Sequence, residues 1–518
     1  QSQGSGPSVL AWIGLAAGPI SFLACLYLLP ESYVRSQESG AAVVPFTWAG
    51  RATLAAMVWL GIWWLTEAVE ISVTALLPIV LFPLCGIAPI DQTCYPYADP
   101  LVFLYLAGFV LALAMERWGL GRRLALWTLA SVGTSPSSMI AGVMLVTAVL
   151  SAFVSNTATT AMMLPIGMSI IQLVRRQTPV HSDASGVQRD PVASFGVCLL
   201  LSIAYSASIG GMMTIIGTPT NAFLTGFLKN GIAEEYRMEI SFVSWLPIGI
   251  PLVFVFLPLA FLIMTRVLFP IGDVKLAGGK EMILQELKGL GRIRRGEWNI
   301  AGVFAVVVFL WLTRPLWNAW EIEWQGETVR PLKSLSDTGI AMAGAFALFL
   351  LPVNARRREF TMHWGVAEKL PWGILLLFGG GLSLAAAVSS NGVAEFIGSQ
   401  VETLHGVPGW LLVLVVTLAI IFLTELTSNA ATTASLVPIL AAISPGLGIH
   451  PYVLIFPATL AASCAFMLPV ATPPNAIVFG SGVISVSQMA RAGIVLNLVG
   501  TVLVALLTLW LVPWWFIP

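Results

Sequence analysis

The sequence predicts an all-α polytopic membrane protein with about eleven transmembrane helices and two re-entrant helical hairpins, arranged as inverted repeats, N-terminus in and C-terminus out. Three observations predict it. Of 518 residues, 57% are hydrophobic and only 10% charged, against about 25% charged in soluble domains. Apolar stretches long enough to cross a bilayer recur along the whole chain. Two further apolar stretches are interrupted midway by the same polar motif, at positions that place them on opposite faces of the membrane.

The spans run at roughly 9–29, 52–69, 72–90, 100–115, 193–228, 241–269, 298–313, 336–353, 371–390, 451–482 and 490–516, and the interrupted segments at 135–174 and 409–446. Residues 1–8 carry no basic n-region or cleavage site and read as an added tail rather than a signal peptide. With the N-terminus inside, the inner loops and adjoining span ends hold 18 of the 25 Lys and Arg, from Arg117, Arg122 and Arg123 through Arg356–Arg358 to Arg491. That excess fixes the orientation. Trp317, Trp320 and Trp324, and Trp510, Trp514 and Trp515, read as aromatic belts at the outer boundary. Lys280 to Trp298 mixes Met282, Ile283, Leu284, Leu287 and Leu290 with charges, and reads as an amphipathic helix on the inner surface. The chain therefore divides into a tail and first span (1–50), a first repeat with an inward-facing hairpin (51–270), a cytoplasmic linker (271–297) and a second repeat with an outward-facing hairpin (298–518).

Zero formal charge, 25 basic against 25 acidic residues, points to no nucleic-acid partner. The five cysteines suggest neither a disulfide framework nor a metal cluster. No Asn-x-Ser/Thr sequon occurs, which favours a bacterial inner membrane.

The repeat is explicit. Ser155-Asn156-Thr157-Ala158-Thr159-Thr160-Ala161-Met162-Met163-Leu164-Pro165 matches Ser428-Asn429-Ala430-Ala431-Thr432-Thr433-Ala434-Ser435-Leu436-Val437-Pro438 at 7 of 11 positions, offset by 273. The same offset aligns Leu104, Gly108, Leu111, Ala112, Ala114 and Gly119 with Leu377, Gly381, Leu384, Ala385, Ala387 and Gly392. Thr218-Pro219-Thr220-Asn221-Ala222 matches Thr472-Pro473-Pro474-Asn475-Ala476 at offset 254, the difference fitting a polar insertion around Gln177–Asp190. Five crossings separate the hairpins, and five is odd, so the repeats are inverted. Inverted repeats with interrupted helices are the architecture of secondary transporters. The chain has no P-loop motif to drive a pump.

Backbone that breaks helix inside a membrane must line a protein-walled wet site. Ser, Thr and Asn favour N-caps and Pro the first helical turn, so each break is expected to start a half-helix aimed at the site. Four such termini sum to roughly +2 charges, a match for a dianion. Ser151 precedes Ser155, and Thr424 precedes Ser428, by one turn; hydroxyls so spaced share a helix face and, with free carbonyls, make an oxygen-only cage suited to Na⁺. No Lys, Arg or His lies near the breaks in sequence, a physical reason for cation coupling. Helix–helix hydrogen bonding is the bland alternative for any one cluster. Glu425, beside the second cluster, is either a ligand or a partner of the hairpin backbone. Glu67, Glu70 and Glu116 fall at span ends.

At these residues, and at Met467-Leu468-Pro469-Val470-Ala471-Thr472-Pro473-Pro474-Asn475-Ala476-Ile477-Val478-Phe479, the chain resembles the divalent anion/sodium symporter family, carriers of dicarboxylates, citrate or sulfate. The resemblance covers nearly the whole chain from the second span onward. It implies a first Na⁺ site of Ser151, Ser155, Asn156 and the Gly217 carbonyl, and a second of Thr424, Ser428, Asn429 and the Ala471 carbonyl. It implies substrate carboxylates at Asn156, Thr157, Thr218, Pro219, Asn429, Thr472 and Pro473. It also implies two or more Na⁺ per protomer, a homodimer, and a hairpin-bearing unit that slides against a fixed scaffold. Ala430 stands where the family's bacterial pattern often has Thr, which removes one hydroxyl donor and leaves room for citrate or sulfate. The leading expectation is Na⁺-coupled symport of C4-dicarboxylates. The alternatives are a Na⁺-independent exchanger, a citrate or sulfate carrier, a proton-coupled anion or metalloid carrier using Glu425, and a membrane-embedded enzyme. The last would need acid, base or metal-ligand groups at the midplane, and the four His fall in or near loops.

Overall fold

The computed structural model describes residues 9–37, 40–131, 135–177, 191–271, 278–324, 327–401 and 406–517. The tail 1–8 and most of the 177–190 insertion lie outside them.

Helix α1 (Val9–Leu28) packs on α2 (Trp48–Thr66). Gly14 and Gly18 permit this: a Cβ at Gly18 would sit 2.4 Å from the Trp59 ring. Between the two, β1 (Ser32–Gln37) and β2 (Gly40–Pro45) pair antiparallel, a hairpin the apolar pattern does not announce. The third span is split into α3 (Ile71–Thr74) and α4 (Leu77–Leu84). A short α5 (Ile90–Cys94) leads into α6 (Pro100–Trp118), capped by the Asp99 carboxylate on the Leu101 amide. Gly119, at φ 72°, ends α6 and turns the chain into α7 (Leu120–Ser131). The first hairpin is α8 (Pro136–Ser151) and α9 (Asn156–Gln177). At 1.5 Å per residue α8 is about 24 Å long, short of the roughly 30 Å hydrocarbon core. The long α10 (Pro191–Gly211) breaks over 212–218 before the eight-residue α11 (Pro219–Gly226). α12 (Phe242–Leu262) closes the first half with a full capping box at Ser241 and Ser244.

α13 (Gly279–Gly289) is shorter than the expected surface helix: Gly291, at φ 67°, ends that stretch, and α14 (Arg295–Asn318) already contains Trp298. The linker therefore gives way to the next span at Arg295 rather than 298. After the β3 (Ile322–Trp324) and β4 (Glu327–Val329) hairpin come α15 (Asp337–Leu350) and the β5 (Pro352–Asn354) and β6 (Glu359–Phe360) pair. α16 (Trp364–Ala367) precedes α17 (Trp372–Ser390) and, past Gly392 at φ 71°, α18 (Val393–Val401). The second hairpin is α19 (Gly409–Thr424) and α20 (Asn429–Gly446), with the bounds the sequence indicates. α21 (Tyr452–Ala461) breaks over 462–472 before α22 (Pro473–Phe479), and α23 (Val486–Phe516) ends the chain.

The architecture is thus helical throughout, apart from three two-stranded hairpins among the described residues. Eight helical segments there are long and apolar enough to cross a membrane unaided. They include α9, whose 22 residues start where α8 stops, so its surplus length runs out through Arg175 and Arg176. The buried core is apolar, and its fully buried Trp rings find acceptors: Trp245 donates to the Met212 carbonyl at 3.1 Å and Trp311 to that of Asp337 at 3.0 Å. On the basic-loop side α7 is held by a buried ion pair. Arg123 Nε donates to Glu297 Oε1 at 2.6 Å, and its other nitrogens reach the Gly291 and Leu290 carbonyls.

Candidate functional site

The four expected breaks are all present, and each half of the chain joins its hairpin tip to its broken helix. In the first half α8 stops at Ser151, whose hydroxyl donates to Asn156 Oδ1 at 2.5 Å. Across the tip, the Thr214 hydroxyl donates to the Ala152 carbonyl at 2.5 Å. A Cβ at Gly217 would lie 2.4 Å from the Gly211 oxygen and 3.0 Å from the Ala152 oxygen, and one at Gly211 would lie 2.6 Å from Asn156 Oδ1. Ser151, Asn156, Gly211 and Gly217 are therefore one cluster of hydroxyl, amide and carbonyl oxygens, packed so closely that only glycine fits at two of its corners.

The second half repeats the theme. Thr424 donates to Asn429 Oδ1 at 2.7 Å and to the Ala462 carbonyl at 3.1 Å. The hydroxyls pair with the side-chain amides five residues on rather than with the hydroxyls four residues on, because α8 and α19 end at Ser151 and Thr424. The expected shared helix face with Ser155 and Ser428 does not form. Ser155 is exposed and Ser428 half-buried, and neither is bonded by side chain to its cluster among the described contacts. Ala471 is buried beside the second break.

The half-helix starts differ from expectation in their donors. The first four amides of a helix, counted from its N-cap, lack intrahelical acceptors, which leaves those of Ser155, Asn156, Thr157 and Ala158 at the start of α9, and of Ser428, Asn429, Ala430 and Ala431 at the start of α20. α22 begins Pro473-Pro474, without N–H groups, and its Asn475 amide is taken by the Thr472 hydroxyl. Pro219 likewise costs α11 one donor. Anion-binding amides are thus concentrated on the two hairpin tips. Thr218 and Ser428 keep their hydroxyls off their own helix ends. Thr218 is buried and its carbonyl accepts from Tyr105 Oη of α6 at 3.2 Å, whereas Thr157 and Pro473 are exposed and Asn156 and Asn429 half-buried.

Exposure differs between the half-helices. Thr157, Ala161, Pro165, Gln172 and Arg176 form an exposed row down α9, and Pro473, Ala476 and Gly480 another on α22. Both rows run from the tips to the basic-loop side. The half-helices on the other side, Thr220–Gly226 of α11 and most of α20 beyond Asn429 and Ala430, are buried.

Two residues beside the breaks carried no assigned role in the sequence. Asn221 Nδ2 donates to the carbonyls of Thr214 (2.9 Å), Met212 (3.3 Å) and Gly211 (3.4 Å). Asn475 Nδ2 does the same to Leu468 (3.0 Å) and Ala465 (3.2 Å), the positions 254 residues on. These amides fold each break back on its half-helix; their signal was their place in the repeated Thr-Pro motif. Thr220 and Ser463 hydroxyls, 2.8 Å apart, tie the two broken helices together. Glu425 is no open ligand: it accepts from the amides of Phe466 (2.7 Å), Met467 (2.8 Å) and Leu468 (3.0 Å) and from Asn497 Nδ2 (2.7 Å). Among the described residues no group of three or more His, Cys, Asp or Glu could hold a metal ion.

Residues 43–517 match the family model described as the sodium:sulfate symporter transmembrane region. Over 503 residues, 97% of this chain and 91% of the relative, the sequence is 40% identical to the Sodium-dependent dicarboxylate transporter SdcS of Staphylococcus aureus strain USA300. The same figures hold for the SdcS of strain MRSA252. Among solved structures the fold resembles the crystal structure of the Alcanivorax borkumensis YdaH transporter, with a TM-score of 0.57 at 14% identity over 96% of this chain and 97% of that one.

Proposed function

Because the chain belongs to the sodium:sulfate symporter family, we propose that it is a multi-pass plasma-membrane carrier that couples Na⁺ to the uptake of C4-dicarboxylates such as succinate, malate and fumarate. The observation that carries this is the pair of hydroxyl–amide links, Ser151 to Asn156 and Thr424 to Asn429, each set against backbone carbonyls at a helix break. Each link holds oxygens for a small hard cation on one side of an Asn whose helix terminus offers amides to an anion on the other. The donor set is all oxygen and neutral, which suits Na⁺ and gives protons no titratable acceptor.

In this reading Ser151, Asn156, Gly217 and Ser155 serve the first Na⁺, and Thr424, Asn429, Ser428 and Ala471 the second. Asn156, Thr157, Asn429, Thr218, Pro219, Thr472 and Pro473 face the carboxylates. Thr218 and Thr472 act mainly as hydroxyl or backbone groups at the rim, given the shortage of N–H donors there. The repeat halves pack as a hairpin-bearing unit that slides past a scaffold, and the chain works as a homodimer.

A second reading, citrate or sulfate as substrate, is favoured by one observation: Ala430 puts a methyl in the first turn of α20 where a hydroxyl would otherwise supply a donor. Purified protein in liposomes, given labelled succinate, citrate or sulfate with Na⁺ or choline outside, separates these. Succinate uptake that needs Na⁺ is expected. Uptake of equal rate in choline would favour the exchanger, and a preference for citrate or sulfate would move the substrate within the family.

A further inference from the structure

The linker between the two halves carries cations that the described residues do not neutralise. Over 278–298 the acids Glu286 and Glu297 are taken by Arg122 and Arg123. That leaves Glu281 alone against Lys280, Lys288, Arg292, Arg294 and Arg295. All five cations are exposed, and among the described residues none is in an ion pair. The charge sits on a rigid support. Ile283 turns α13 into the core and is fully buried. Arg123 bonds the Leu290 and Gly291 carbonyls as well as Glu297, and the Arg294 amide donates to Glu297 Oε2 at 2.7 Å. A Cβ at Gly296 would lie 2.3 Å from the Trp118 ring, so the start of α14 is packed directly on the end of α6.

The pinned turn leads straight into lipid. α14 is long and apolar enough to cross a membrane from Arg295, and Trp298 on its first turn is 63% exposed. Arg292, Arg294 and Arg295 therefore stand at the end of a spanning helix, at the level of the headgroups. Beside them, between α7 and α13, is a groove of about 350 Å³ lined by Arg122, Met282, Gln285, Glu286, Gly289 and Leu290. Its one acid is already paired with Arg122. We propose that this turn and groove bind the headgroup of an anionic phospholipid, the phosphate meeting Lys288, Arg292 and Arg295 and the acyl chains running along the first turns of α14. A lipid suits the place better than a free anion because exposed Trp298 and the apolar start of α14 adjoin the cations. Each such cation near a bilayer surface strengthens association with anionic lipid roughly fivefold. The binding does not depend on which substrate is carried. A second exposed basic run, Arg356–Arg358, lies on the β5–β6 turn rather than at the start of a span, and serves as the charge-matched control.

The test is thermal melting of the purified full chain in neutral detergent as dioctanoyl phosphatidylglycerol is added. The wild type should gain melting temperature in a saturable manner that high salt weakens. The triple variant Lys288→Gln, Arg292→Gln, Arg295→Gln should need about a hundredfold more lipid for the same gain. The triple variant Arg356→Gln, Arg357→Gln, Arg358→Gln should match the wild type. An equal gain from dioctanoyl phosphatidylcholine overturns the proposal, because headgroup charge then plays no part. So does an equal loss in both triple variants, which would mean charge without a site. An equal gain from glycerol phosphate alone overturns the lipid in favour of a soluble phosphate. Should the first triple variant fail to fold, Lys288→Gln and Arg292→Gln decide singly: a loss of about fivefold in each supports the site, and no change in either refutes it.

Discussion

Gly217→Ala is the most direct probe of the first cluster. A Cβ there would sit 2.4 Å from the Gly211 oxygen and 3.0 Å from the Ala152 oxygen, both backbone atoms that no rotamer change can move aside. Ordinary carbon–oxygen contact is about 3.3 Å or more, so the Gly211 carbonyl must retreat by nearly 1 Å. Overpacking of this kind costs about 1–3 kcal/mol. The strain falls on Gly217, whose own carbonyl is proposed to ligate the first Na⁺, and an interaction with a charged partner is worth about 1.5–3 kcal/mol. Half-saturating Na⁺ for succinate uptake should therefore rise about tenfold to a hundredfold. Gly302→Ala, in α14 with nothing within 4 Å of its Cβ, is the control and should leave both uptake and melting temperature at or above wild type. Liposome uptake across a Na⁺ series, with thermal melting in detergent to confirm folding, reads both. Wild-type Na⁺ dependence in Gly217→Ala would refute the close-packed carbonyl cluster as a cation site.

Three further outcomes are expected. Asn156→Ala and Asn429→Ala should each abolish uptake while the protein still inserts, since each amide takes a hydroxyl from one side and begins an anion-facing helix on the other; normal uptake at low substrate by either would remove that residue from the site. Ala430→Thr should shift competition toward succinate over citrate by about tenfold, one hydrogen bond to a charged group; an unchanged ratio would mean that position 430 does not face substrate. Arg123→Leu should lower stability by about 3–5 kcal/mol, because Glu297 is left buried without its partner, and Arg123→Met combined with Glu297→Leu should recover much of it; equal melting temperatures for the single and double variants would contradict that account.

Much of the fold was legible because inverted repeats must solve the same problem twice. The shared motif located both hairpins, the second at its observed bounds, and the aligned Gly119 and Gly392 proved to be the two left-handed turns that end α6 and α17. The helices after those turns, α7 and α18, were not legible: at 12 and 9 residues they are too short to read as spans. The β1–β2 hairpin escaped because its apolar residues sit in a strand too short to stand out beside the spans. At the site, Ser151 lies on Asn156 and Thr424 on Asn429, groupings that the family resemblance implied and the spacing did not. The spacing pointed to the hydroxyls four residues on instead, because it assumes a helix that actually ends at Ser151 and Thr424. The donor count at α22 could have been read directly, since two successive prolines remove two N–H groups. Asn221 and Asn475 were visible as matched residues, but only the folded break reveals which carbonyls their amides hold.

If cation and anion meet at the same two Asn turns, as proposed, coupling between the sites is reciprocal, typically about 1–3 kcal/mol. Calorimetric titration of succinate into the purified protein in Na⁺ and in choline measures it. Succinate should bind about 5–150-fold tighter in Na⁺, with Ser151→Ala and Thr424→Ala weakening it in a manner that high Na⁺ partly restores. Equal succinate affinity in the two buffers would contradict it.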